Sequence, residues 1–212
     1  MLSLRLRQYW HRRQADATLQ TLWQSSNKVR LGQYHENRYL AVDLETTALN
    51  PDEGEVVSIA WVPLENGQID MGQAAHYLLS TNDSVGHSAT FHHIRDCDLG
   101  EALSVSEVMP LFFEALKGRV LIFHCAAMDM AFLDQWCVRL HGARLLMPFV
   151  DTLTVERKRL DSRQPIIRSG ELRLGQCRKR YNLPEYPPHN AMSDALATAE
   201  LFLAMMASKR SV

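Results

Sequence analysis

The chain has 212 residues, 23 Lys/Arg against 24 Asp/Glu, a formal net charge of −1 and 46 % hydrophobic residues. This excludes bulk disorder and gives enough chain for one α/β domain with a substantial core. The near-neutral balance means that any affinity for a polyanion must come from local charge.

Cys97, Cys125, Cys137 and Cys177 lie far apart with no Cys-x-x-Cys pair. They fit neither a structural zinc site nor a disulfide framework, and reduced thiols in a cytoplasmic protein are expected. The start, Met1 to Arg7, carries charge without a following apolar run, so no signal peptide is expected. Apolar stretches such as Val120 to Phe123 are too short to span a bilayer, so no membrane partner is expected.

Residues 1–36 read as an N-terminal helical extension, in which Ala15, Leu19, Leu22 and Trp23 share one helical face. The extension is basic (Arg5, Arg7, Arg12, Arg13, Lys28 and Arg30 against Asp16 and Glu36). It suits either a helix packed on the domain with a solvated outer face, or an arm that docks a partner or nucleic acid. Residues 37–212 read as the main domain. Arg38 to Asp43 is predicted as a central strand and Val56 to Leu64 as a second, joined through the turn Glu65-Asn66-Gly67 to a third within Gln68 to Leu79. Ser104 and Glu107 form a capping box before a helix that Gly118 ends. A strand over Val120 to His124 leads to a helix from about Met128 to Leu140, and Val150 to Leu153 is a short strand. Helices near Leu172 to Arg180 and Asp194 to Ala207 complete an α/β fold, a mixed sheet flanked by helices.

Three segments carry carboxylates in chemically suggestive positions. In Asp43-Leu44-Glu45 the two acids point to one face of a strand, because side chains alternate with a period of two. They directly follow an apolar run, where unpaired charge is costly unless a cation neutralises it. Asp129 lies near a helix start, with Phe132 and Leu133 at i+3 and i+4 to anchor that helix. Asp194 follows His189 and leads into the apolar positions Ala195, Leu196, Ala199, Phe202 and Leu203. Asp129 and Asp194, taken singly, are also what a helix dipole favours.

Together, Asp-x-Glu-Thr-Thr at 43–47, His-x-Ala-x-x-Asp-x-x-Phe-Leu at 124–133 and His-x-x-x-x-Asp at 189–194 resemble the DEDDh (DnaQ-like) 3′–5′ exonucleases. This is the family of the proofreading subunit of bacterial DNA polymerase III and ribonuclease T. Weaker matches are His92 to Ile94, Asp151 to Leu153 and Leu172 to Leu183. The resemblance implies a ribonuclease H-like mixed five-stranded sheet flanked by helices. It implies two Mg²⁺ or Mn²⁺ ions, with Asp43 shared between them, Glu45 and Asp194 on the first and Asp129 on the second. His189 would take the proton from the attacking water. The implied reaction is 3′–5′ hydrolysis of single-stranded ends, DNA favoured over RNA, releasing nucleoside 5′-monophosphates. Substrate contacts are implied at Thr46 and Thr47 (through their backbone), at Leu49 as a wedge, and at His92 and Met128. Implied partners are DNA or RNA 3′ ends, with a polymerase or a second copy of the chain as further options.

This chain departs from the pattern at Cys125 (usually Asn), Met128 (usually Phe) and Ala48 (commonly Gly). A non-catalytic nucleic-acid- or polymerase-binding module is the alternative function, and a metal-dependent hydrolase of free nucleotides or another phosphodiester is a third. Nine Lys/Arg between 157 and 180 (Arg157, Lys158, Arg159, Arg163, Arg168, Arg173, Arg178, Lys179, Arg180) fit either solvated helix faces or a phosphate-tracking surface.

Overall fold

The computed structural model describes residues 3–26, 29, 36–81, 102–162 and 166–209. Strand β1 (Arg38–Thr46) is the centre of the sheet, and Tyr39 to Val42 are buried on both faces, as a central strand requires. Antiparallel to it runs β2 (Val56–Glu65), with Asp43 opposite Ala60 and Glu45 opposite Ser58. Parallel to it on the other side is β5 (Arg119–Phe123), followed outward by the short β6 (Phe149–Asp151). Beyond β2 lie β3 (Gln68–Ile69) and β4 (Ala75–Leu78), both antiparallel to it. The sheet is therefore mixed, in the order β3-β2-β1-β5-β6 with β4 also on β2.

The single third strand expected over 68–79 is split in two. Asp70 accepts hydrogen bonds from the Gly72 N–H at 3.0 Å and the Gln73 side chain at 2.6 Å, closing a 3₁₀ turn at Met71–Gln73. The sheet thus has six strands, its five-stranded main path being the mixed sheet expected.

One face of β1, through Leu40, Val42 and Leu44, packs under α3 (Val105–Leu116) and α4 (Ala126–His141). The other face, through Tyr39 and Ala41, packs under α7 (Ala191–Lys209). Two shorter helices, α5 (Thr152–Asp161) and α6 (Leu174–Arg180), lie between them in the chain. Helix α5 was not anticipated. Its sequence, TLTVERKRLD, is mostly polar, and its start is set by Asp151, which accepts from the Leu153 N–H at 3.1 Å and the Thr154 hydroxyl at 2.7 Å.

The N-terminal extension forms α1 (Leu4–His11) and α2 (Ala17–Ser25). The expected face of α2 is buried: Leu19, Leu22 and Trp23 join the core beneath α4, together with Ala15. Trp23 donates its indole N–H to the Leu145 carbonyl at 2.6 Å, and Asp16 caps α2 while meeting His141 at the end of α4. Among the described residues, no helix is long and apolar enough to cross a membrane.

Candidate active site

The carboxylates converge at the carboxyl end of β1, where the parallel strand β5 stops. Asp43 and Glu45 alternate onto the α7 side of the sheet. Asp194 meets them from the first turn of α7, so that carboxylate oxygens of Asp43, Glu45 and Asp194 lie within 4.8 Å of one another. A register shift between Glu45 and Thr46 ends the regular ladder just beyond the pair.

The helices that deliver Asp129 and Asp194 place their acids at the same distance from the helix start. Each acid stands four residues after its cap: Asp129 after Cys125, and Asp194 after Asn190, whose Oδ1 accepts from the Ser193 N–H at 3.1 Å. Cys125 has φ +79°, in the left-handed region. Asparagine adopts that conformation more readily than other side chains, which gives a physical reason for Asn at this position in the resembled pattern. Here the Cys125 N–H is pinned instead by Asp151 Oδ1 at 3.0 Å. His124 adds a second tie: its Nε2 donates to the Leu172 carbonyl at 2.8 Å while Nδ1 meets the Thr152 hydroxyl at 2.8 Å. Asp151 and Thr152 were overlooked as positioning residues, although the weak match at 151–153 was the available signal.

The electrostatics are those of a site built for positive charge. Burial pushes Asp43 well above the usual carboxylate range, and the charges of Asp129, Asp194 and Glu45 add to it. Glu45 is raised to about 7 by burial and by Asp194. Asp129 is raised to about 7 by burial, partly offset by backbone N–H groups of its own residue and Leu44. Asp194 is also raised by burial, against the opposing hydrogen bond from the His189 N–H, 2.8 Å long. Oδ1 of Asp129 is buried without a hydrogen-bond partner. A buried polar atom is ordinarily satisfied, so an orphan oxygen beside three converging carboxylates fits a cation-binding site. An all-oxygen donor set suits a hard divalent ion such as Mg²⁺ or Mn²⁺.

His189 stands on the exposed turn before α7 with φ +65°. Leu49 is 82 % exposed at the tip of the loop after β1, as a wedge would have to be. That loop is held by Gln135 of α4, which donates to the Pro51 carbonyl at 2.8 Å. It also needs Gly54, where a Cβ would sit 2.6 Å from both the Cβ and the N of Ala48. With Ala at 48, the close approach falls to the glycine across the loop.

Thr47 departs from expectation. Its N–H donates to the Glu55 carbonyl at 2.8 Å and its hydroxyl accepts from the Glu55 N–H at 2.8 Å, so its backbone donor closes the loop and is not free for a nucleotide. Thr46 donates its hydroxyl to the Ala48 carbonyl at 2.7 Å. Met128 is half-buried against the core. His92, like Cys97 and Arg163, lies outside the described residues.

Three arginines of the basic segment are neither on a solvated face nor on a phosphate track. Arg178 is 2 % exposed and clamps the Pro184 carbonyl, the Ala197 carbonyl and Glu200. Arg159 and Arg180 both bond to the buried Glu156. Arg157, Lys158, Arg168, Arg173 and Lys179 remain exposed.

The exonuclease family model (RNase_T) matches residues 40–202, and the chain belongs to this family. It resembles the PolC-type DNA polymerase III of Thermotoga petrophila, with 29 % identity over 166 residues, covering 78 % of this chain and 12 % of the relative. It also resembles a DNA polymerase III subunit epsilon-like protein of Rhodobacter capsulatus, with 29 % identity over 170 residues, covering 79 % of this chain and 23 % of that protein. The chain therefore spans less than a quarter of these relatives. Among solved structures, the nuclease domain of 3′hExo, described as a DEDDh family member bound to rAMP, superposes with a TM-score of 0.68. It shares 14 % identity, and the match covers 82 % of this chain and 94 % of that one. The fold is that of the ribonuclease H-like exonucleases.

Proposed function

We propose that this chain removes nucleotides one at a time from the 3′ end of single-stranded nucleic acid, DNA in preference to RNA, by a two-metal hydrolysis. The observation that carries this reading is the meeting of the Asp43, Glu45 and Asp194 oxygens within 4.8 Å, next to the unpartnered buried oxygen of Asp129. Asp43, Glu45 and Asp194 would hold one Mg²⁺ or Mn²⁺ ion, and Asp43 with Asp129 a second. When bound, such a pair supplies charge stabilisation to the attacking and leaving oxygens of a phosphodiester displacement.

The protein's own groups do the rest. The β1 and α7 backbones fix the carboxylates in place, so no reorganisation is needed at the moment of reaction. His189, beside Asp194, takes the proton of the attacking water on its imidazole. Leu49 packs against the terminal bases and splays them, which is cheap at a strand end. Thr46 and Met128 line the approach. The DNA preference rests on the polymerase relatives, which also make a polymerase a proposed partner.

The test is end-labelled single-stranded DNA, single-stranded RNA and duplex DNA, each with Mg²⁺, with Mn²⁺ or with chelator. Metal-dependent mononucleotides from the 3′ end, fastest on single-stranded DNA, are expected. Internal cleavage, 5′-first release or undiminished activity in chelator would overturn the proposal.

A further inference from the structure

Helix α1 faces the wrong way for a helix that only seals a core. Among its described residues the one buried side chain is Gln8, whose Nε2 donates to the Leu146 carbonyl at 2.8 Å. Its aromatic residues point outward instead: Tyr9 is 73 % and Trp10 72 % exposed, with Leu6 at 40 %. Leu6, Tyr9 and Trp10 fall at i, i+3 and i+4, so they form one outward stripe, and Arg12 and Arg13 follow in the turn that ends the helix. Two exposed aromatic rings contribute little to folding where they are, although each offers a large stacking surface.

Charge says what the stripe fits. Residues 3–15 contain Arg5, Arg7, Arg12 and Arg13 and no acid. The nearest acid in sequence, Asp16, is taken up by the α2 cap and His141. Between the two rings and Arg12, Arg13 and Gln20 lies an open groove of about 520 Å³. Tyr and Trp also favour protein interfaces, but a single strand offers a base plane and a phosphate at every nucleotide, which is what a pair of rings followed by a pair of arginines can recognise.

A second groove of about 580 Å³ follows the outer face of α4 from Ala127, past Ala131 and Gln135, to Arg139 and Arg144, with Pro51 on its rim. Burial raises Asp134 on this groove, and the Leu145 N–H, Arg144 and Arg7 of α1 act against that rise. Asp129 and His141 mark the two ends of α4, about 18 Å apart along its axis.

We infer that the outward face of α1, Tyr9 and Trp10 with Arg12 and Arg13, is a second contact for single-stranded nucleic acid, holding the strand upstream of the 3′ end. The inference rests on the nuclease reading above and adds a length-dependent grip remote from the carboxylates.

The experiment compares oligonucleotides of about four and about fifteen nucleotides, each as DNA and as RNA. Binding to the full chain is measured in Ca²⁺ across a salt series, and shortening is then followed in Mg²⁺ or Mn²⁺. The proteins are wild type, Tyr9→Ala/Trp10→Ala and Arg12→Gln/Arg13→Gln, with melting curves to confirm that each is folded. Both variants should bind the short strands like wild type and the long strands at least about fivefold more weakly, the low end for one lost base stack. The arginine variant should also flatten the log–log salt slope on long strands by roughly 1.4, about 0.7 per lost phosphate contact. Loss in the DNA arm, the RNA arm or both upholds the contact and names the polymer. Equal long-strand binding by folded variants overturns it and turns the stripe to a protein partner; equal loss on short strands overturns it as well. If neither length is shortened by any protein, the nuclease reading fails instead.

Discussion

Asp43, Glu45 and Asp129 project from a strand and a helix locked into a shared core, whereas His189 and Leu49 stand on exposed turns a few residues outside it. The inner groups are fixed before any ligand arrives, and their burial raises every carboxylate. The outer groups stand at the surface, where a substrate would arrive. Such a division suits a nuclease: the cation-holding floor must be preorganised, while the rim must admit and release one strand end per cycle.

The floor and the rim should therefore fail by different amounts. Asp43→Ala, Glu45→Ala, Asp129→Ala and Asp194→Ala should each nearly abolish turnover, since groups acting as one unit do not subtract shares. Single-turnover assays at saturating metal check this, and activity within about tenfold of wild type for Asp43→Ala would break the assignment. His189→Ala should lower turnover by roughly 10²–10⁴-fold while metal and oligonucleotide binding persist. A wild-type rate with normal binding would remove the histidine from the chemistry and leave the floor intact.

The floor should also show itself in stability without any substrate. Glu45 and Asp129, both raised to about 7, bind protons in the folded state at pH values where the unfolded chain has released them. The metal-free protein should therefore lose stability as pH rises from about 4 through about 7, and stay at the lower level above that. Divalent metal favours the ionised forms, so its stabilisation should be small at acidic pH and large at pH 8. A metal-induced rise in Tm of several degrees is expected there, each kcal/mol being worth roughly 2–4 °C in a chain of this size. Differential scanning fluorimetry with chelator or Mn²⁺ across pH checks it; equal metal-induced shifts at both ends of the range would contradict the cluster.

How much of this was legible in the sequence differs between the same two regions. Alternation placed Asp43 and Glu45 on one face, and the helix starts placed Asp129 and Asp194, because burial leaves periodic traces. Lone polar groups leave none: nothing in TLTVERKRLD announces that Asp151 caps α5 and also holds the Cys125 N–H. The basic run misled for the opposite reason. Composition counts Arg178 and Arg180 as surface charge, but their guanidinium groups bind carbonyls and the buried Glu156, contacts made through the tertiary fold. Thr47 likewise sits next to the motif by sequence, yet its N–H is committed to Glu55 across the loop.

Leu49 supplies the smallest and most discriminating contrast. Its side chain is 82 % exposed on a loop that Gln135 and Gly54 hold in shape, so removing it should leave the fold untouched. An exposed leucine contributes little to stability, and Leu49→Ala should melt within about 1 °C of wild type, as surface changes usually do. If it packs against the terminal base, the same change should weaken binding of a single-stranded end by roughly fivefold, near the low end for a lost stacking partner. Single-turnover chemistry should barely move, because no reacting atom depends on the side chain. The effect should grow on a paired 3′ end, where the wedge must also help to open the last base pair. Measuring KM and the single-turnover rate on single-stranded and blunt substrates separates the two contributions. An equal, small effect on both substrates would make Leu49 a simple contact, and no effect on either would leave the loop without a role in holding the strand.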